Sequence, residues 1–178
     1  MEGTCEWFRS HATFSQWLGH NESILLLVTA HPGCGKSVLA RFMFEEELPR
    51  RLEDATICYL FFKDLEGQNK LAACLAAILR QIFLDREELV TEELEKDMLK
   101  AGIGVRGNEN MANPENLWVI LWKICNQHSA GHTLLVFDAL DECGPEDLKS
   151  FVNLLGISIK QQESAEQPLR VKMLMTTR

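Results

Sequence analysis

The sequence predicts an α/β protein built on a mostly parallel sheet. Three observations carry that prediction. Short unbroken apolar runs of strand length recur along the chain, each leading into a stretch with helical periodicity. A glycine-containing loop, Ala30-His31-Pro32-Gly33-Cys34-Gly35-Lys36-Ser37, joins the first such run to the first helical pattern. A later run, Leu134 to Phe137, ends on a carboxylate, Asp138.

Ile24 to Thr29 reads as a buried strand that meets a turn at His31-Pro32-Gly33. From Lys36 the pattern is helical, with Val38, Leu39, Phe42 and Met43 on one face. Glu45 to Glu47 close that face and Pro49 stops the helix, because a proline ring cannot continue the hydrogen-bond ladder. Ile57 to Phe62 is the second strand. A helix through Leu71, Leu75, Ile78 and Ile82 follows, then an acidic one with Leu89, Leu94 and Met98 beneath a solvated glutamate face. After a loop over 101–113, Asn113 as N-cap and Pro114 at the first helical position open the next helix. Leu117, Trp118, Leu121, Trp122 and Ile124 make it apolar almost all round, which predicts packing on both sides. Thr133 to Phe137 form the third strand. Glu146 to Leu155 form an amphipathic helix (Leu148, Phe151, Val152, Leu155) with Gly156 as its C-cap, and Val171 to Met175 form the fourth strand.

Composition excludes several classes of function. Of 178 residues, 46% are hydrophobic and 25% charged, as in globular domains rather than disordered chains. Eighteen basic against 26 acidic residues leave a net charge of −8, which disfavours a general nucleic-acid surface. The longest apolar run, Leu71 to Leu79, is far short of the roughly 20 residues a membrane span needs. Six cysteines without a C-x-x-C pair read as reduced thiols of a cytoplasmic protein.

The loop matches the phosphate-binding pattern G-x-x-x-x-G-K-[ST] at Gly35, Lys36 and Ser37, with Ala30 in place of the first glycine. Residues His31 to Val38 are therefore the candidate nucleotide-binding segment. Glycines let successive N–H groups curl around a phosphate, Lys36 meets the β/γ oxygens, and Ser37 offers its hydroxyl to Mg²⁺. Asp138, at the C-terminal edge of a strand, is the second candidate metal residue. Asp141 and Glu142 follow closely enough to orient or deprotonate an attacking water, and Arg178 at the end of the fourth strand is placed to meet a γ-phosphate. Trp7 and Trp17 are candidates for one wall of a base site.

Three further patterns are weaker. Gly102-Ile103-Gly104-Val105-Arg106-Gly107 spells G-x-G-x-x-G but follows an acidic helix, whereas a dinucleotide site needs a strand before the glycines. Cys125, His128, His132 and Cys143 have loosely metal-like spacing, but Cys125 sits in an apolar helix and Cys143 just past the acidic turn. Cys34 is better read as a small residue tolerated in the loop than as a reactive thiol.

Together these residues resemble the NACHT-type NTPases of STAND signalling proteins, in particular the fungal group and its nephrocystin-like N-terminal relatives. The resemblance rests on Gly3-Thr4-Cys5-Glu6-Trp7, Phe14 to Leu18, Pro32 to Leu39 as Walker A, Tyr59 to Asp64, and Val171 to Arg178 as the sensor 1 strand. Its most specific piece is Phe137-Asp138-Ala139-Leu140-Asp141-Glu142-Cys143, an extended Walker B. It implies a P-loop NTPase three-layer sandwich over 21–178, preceded by a helical segment over 1–20 and ending after the sensor 1 strand. It also implies Mg²⁺ at Asp138, a catalytic role for Glu142, and γ-phosphate sensing by Arg178. The implied activity is ATP or GTP binding with slow hydrolysis in a switch core that oligomerises on activation. Lid, winged-helix and repeat regions are its implied partners. A non-hydrolysing nucleotide-binding scaffold is the alternative.

Overall fold

The computed structural model describes residues 5–19, 24–63, 65, 70–100, 113–127, 131–164 and 170–178. Two short helices, α1 (Glu6–Arg9) and α2 (Ala12–Gly19), precede strand β1 (Leu25–Thr29). Helix α3 (Lys36–Phe42) runs without a break through a π turn (Met43–Glu47) into α4 (Leu48–Arg51). Then come β2 (Thr56–Phe61), α5 (Leu71–Asp85), a 3₁₀ turn (Glu87–Leu89), α6 (Glu92–Lys100), α7 (Pro114–Cys125) and β3 (Thr133–Asp138). A second 3₁₀ turn (Leu140–Glu142), α8 (Pro145–Ser164) and β4 (Val171–Thr177) complete the order.

The four strands among the described residues are all parallel, in the order β1-β4-β3-β2. Thr29 lies opposite Thr177, and Asp138 opposite Phe61, so the strand C-termini gather along one edge. β3 and the body of β4 are buried throughout, as inner strands covered on both faces must be. Alternation along β3 divides the core. Leu135 and Phe137 pack with α5, α7 and α8, whereas Leu134 and Val136 pack with α2 and α3 and with Met43 and Leu48. The result is three layers, helices on either side of one sheet. Burying a side chain such as Phe137 or Leu75 contributes roughly 1.5–3 kcal/mol.

The N-terminal helices belong to the second of these clusters. Phe14 and Trp17 are buried there, and the Trp17 indole N–H donates to the Ile24 carbonyl at 3.3 Å. Lys172 of β4 donates to the Trp17 carbonyl with its ammonium 5.5 Å from that indole, and burial lowers its pKa. Trp17 is thus committed to the core and is not available as a wall for a base.

Pro49 does not stop the helix. It is the second residue of α4, and the π turn just before it shifts the hydrogen-bond ladder so that the continuous helix passes through a residue with no N–H to give. The preceding π turn changes which side chains face inward, and Glu47, expected at the solvated end of the face, is buried. Its carboxylate pairs with Arg9 at 2.8 Å and with Arg51, whose guanidinium also lies 5.4 Å from the Phe14 ring. Arg51→Met, which keeps the apolar stem, is expected to cost about 2 kcal/mol. That is below the ~3–5 typical when a fully buried pair is broken, because both arginines reach water. A urea midpoint unchanged from the parent chain would show that the pair contributes nothing.

Gly156 does not cap α8, which continues to Ser164. Packing carries the helix across a residue that costs about 1 kcal/mol relative to Ala. Ser158, two residues on, is buried and accepts the Trp118 indole N–H at 2.8 Å. Val152 faces out, 56% exposed, so the apolar stripe of α8 is narrower than the sequence pattern. Asn113 caps α7 as expected, its side-chain oxygen accepting the Glu115 N–H at 2.8 Å. Val119 is 62% exposed, however, so α7 is not packed all round. At the β2 edge, the Gln81 amide bonds both the N–H and the C=O of Tyr59, each at 3.0 Å, which blunts an otherwise open strand. The glycine pattern at 102–107 lies outside the described residues, as do Asp64 and His128.

Candidate functional site

The site forms where the parallel strands end. The chain leaves β1 at Ala30, whose N–H bonds the Thr177 carbonyl at 3.4 Å, and loops back into α3. Gly33 and Gly35 adopt φ of +80° and +79°, conformations that a side chain would strain. Ala30 has no such φ, so the first position of this loop does not require glycine. The Lys36 ammonium is half-buried rather than solvent-facing. It donates to the carbonyls of Ala30 at 2.6 Å and His31 at 3.1 Å, drawing the loop around itself.

Asp138 ends β3 with its side chain fully buried. Thr176 of β4 donates its hydroxyl to Asp138 Oδ1, and Oδ2 makes no hydrogen bond among the described residues. The Tyr59 phenol is pushed up to about 12, first by burial and then by the Asp138 carboxylate. Ala139 turns the chain with φ of +57° into the 3₁₀ turn that carries Asp141 and Glu142. Arg178 lies against that turn. Its Nε pairs with Asp141 Oδ2 at 2.8 Å, its N–H donates to Asp141 Oδ1 at 3.0 Å, and one guanidinium nitrogen is 4.0 Å from Glu142 Oε1.

Pro32, Gly33, Gly35, Lys36, Ser37 and Val38 share one cavity of about 330 Å³ with Asp138, Ala139, Asp141, Glu142 and Arg178. Val38, placed by the sequence both on the apolar face of the helix and in the nucleotide-binding segment, is 43% exposed and lines this cavity. His31 and Cys34 lie on the loop outside that lining, and Trp7 is exposed elsewhere on the surface. A hollow of about 520 Å³ opens beside β2, between Pro49 and Leu84, but its charges are Glu53 and Asp85. With no cation and no glycine loop, it suits no phosphate.

The donors fit a magnesium nucleotide. Mg²⁺ prefers hard oxygens, and keeps waters and substrate phosphates beside one or two carboxylates rather than filling an all-protein cage. Asp138 Oδ2, which makes no hydrogen bond among the described residues, in a cavity that Ser37 also lines, supplies that need. No group of three or more metal-ligating side chains exists among the described residues, and Cys125 and Cys143 are buried thiols.

Fold and site define a P-loop NTPase-like domain of the NACHT kind. The chain belongs to the family described as "Nephrocystin 3, N-terminal", whose profile matches residues 3–178. It is 23% identical over 153 residues to the vegetative incompatibility protein HET-E-1 of Podospora anserina. That match covers 84% of this chain and 11% of the relative, so the chain spans about a tenth of that protein's length. Among solved structures, the ORC2 protein of Aeropyrum pernix, determined as ADPNP-ADP complexes, aligns with a TM-score of 0.48 at 15% identity. The alignment covers 92% of this chain and 37% of that one. No described helix is long and apolar enough to cross a membrane.

The sequence reading did not single out Thr176, which contacts Asp138 directly, or Tyr59, whose ionisation senses the same carboxylate. A hydroxyl amid the apolar residues of β4 was the one available signal for Thr176.

Proposed function

We propose that this chain binds a magnesium nucleoside triphosphate and hydrolyses it slowly, as the switch core of a larger cytoplasmic signalling protein that oligomerises on activation. The observation that carries the reading is the convergence of the glycine loop, Lys36, Ser37, Asp138, Glu142 and Arg178 on one cavity at the strand C-termini. In this reading the loop amides and Lys36 hold the phosphates, and Ser37 and Asp138 hold the ion. When bound, Mg²⁺ would offset charge on the β- and γ-phosphates. Glu142 accepts a proton from the attacking water. Arg178, drawn off Asp141, meets the γ-phosphate, so occupancy is transmitted to the end of β4. Family membership supports the switch, with lid, winged-helix and repeat regions as partners. ATP and GTP fit equally, because every contact named is to phosphate. The test is calorimetric titration with ATP and GTP in Mg²⁺, followed by phosphate release. Binding without release would favour the scaffold, and no binding would end both readings.

The loop offers a second check. Cys34 is exposed, whereas the other five thiols are buried. Burial pushes Cys74 and Cys125 up to about 12 and Cys143 to about 11, and also raises Cys5 and Cys58. Thiolates are the reactive species, so iodoacetamide at pH 8 is expected to modify Cys34 well ahead of the rest. Mg²⁺-nucleotide should slow that modification. Peptide mapping that found Cys58 or Cys125 labelled first would contradict the packing described.

A further inference from the structure

We propose that Thr176 is the positioning residue that aims the Asp138 carboxylate at the metal ion. The proposal rests on the nucleotide-binding reading above. Thr176 is fully buried on β4, two residues before Arg178, in a strand whose inner positions are otherwise mostly apolar. Its hydroxyl makes two bonds. It accepts the Ala139 N–H at 3.0 Å and donates its one proton to Asp138 Oδ1. A hydroxyl has a single proton, so these two partners define the direction of both bonds.

Two consequences follow from that one oxygen. Asp138 Oδ1 is engaged and the carboxylate cannot rotate freely, which leaves Oδ2, with no hydrogen bond among the described residues, as the oxygen available to a cation. The Ala139 N–H is held where the backbone takes its left-handed turn, φ +57°, into the segment that carries Glu142. Thr176 therefore sets the metal carboxylate and the start of the catalytic turn together. It does so from the strand that ends at Arg178, so a shift of β4 reaches the metal site through one side chain. Partners that orient a metal ligand typically change metal affinity by about 10–100-fold when removed.

The experiment compares the full chain with Thr176→Val, which keeps the shape and loses the hydroxyl, and Thr176→Ser, which restores it. ATP affinity is measured by calorimetry in Mg²⁺ and again in EDTA. Thr176→Val is expected to lose about 10–100-fold of the affinity gained from Mg²⁺ while its affinity in EDTA stays at the parent value. Thr176→Ser should recover the gain. Equal weakening with and without Mg²⁺ would mean general damage to the site, and undiminished Mg²⁺ dependence would mean no role; either overturns the proposal. A parent chain that binds neither ATP nor GTP would instead refute the nucleotide reading, and this inference with it. If circular dichroism shows Thr176→Val unfolded, the measurement moves to the parent chain. The Thr176 methyl resonance should then shift with Mg²⁺-ATP and not with ATP in EDTA, and a methyl indifferent to Mg²⁺ would overturn the assignment.

Discussion

Glu142→Gln is expected to bind Mg²⁺-nucleotide as the parent chain does while turnover falls by about 10²–10⁴-fold, the usual contribution of a positioned general base. Glutamine keeps the length and hydrogen-bonding reach of the side chain but cannot take the proton. The backbone that positions residue 142 is independent of its charge: the Glu142 N–H closes the 3₁₀ turn on the Ala139 carbonyl at 2.9 Å. Asp138→Ala should behave differently, because it removes the buried carboxylate oxygen that has no hydrogen bond among the described residues. Its loss should appear as weaker Mg²⁺ dependence of binding. Phosphate release and calorimetry on both variants separate the two roles. Identical binding defects, with no separate loss of turnover in Glu142→Gln, would refute the assignment.

Lys36→Ala should lower nucleotide affinity by about ten- to a hundredfold, since charge-assisted hydrogen bonds contribute about 1.5–3 kcal/mol each. The geometry moderates the loss. Without a phosphate the ammonium is already shared between the Ala30 and His31 carbonyls, so binding exchanges those partners for phosphate oxygens rather than creating bonds from nothing. The variant should stay folded, because the side chain is only half-buried and the freed carbonyls reach water. Competition binding with a fluorescent nucleotide measures the change. Parent-like affinity would mean that the loop does not hold the phosphates.

Much of the fold was legible because its signals are local. Four apolar runs became four strands within a residue or two at each end, and Asn113 capped its helix as its side chain and Pro114 required. The candidate loop was legible because glycine at a positive φ followed by Lys-Ser at a helix start leaves few alternatives. Misreadings came where a tertiary partner outweighed a local rule. Pro49 was accommodated by a π turn, Gly156 was held helical near the Trp118–Ser158 bond, and Trp17 was drawn into the core beneath the first two helices.

The amino-acid sequence by itself determined the strands and helices, the parallel α/β class, the glycine loop and the carboxylate at the end of β3, because each depends on spacing and side-chain type within a few residues. Only the tertiary structure decided what those groups do to one another. Parallel pairing in the order β1-β4-β3-β2 brings the loop, Asp138 and Arg178 to one edge although Ala30 and Arg178 lie 148 positions apart in the chain. The same pairing sets the Thr176 hydroxyl on Asp138, lays Arg178 on Asp141, and buries Glu47 between two arginines. These are contacts between side chains distant in sequence, and their energies depend on burial and angle, which exist only once the sheet has formed.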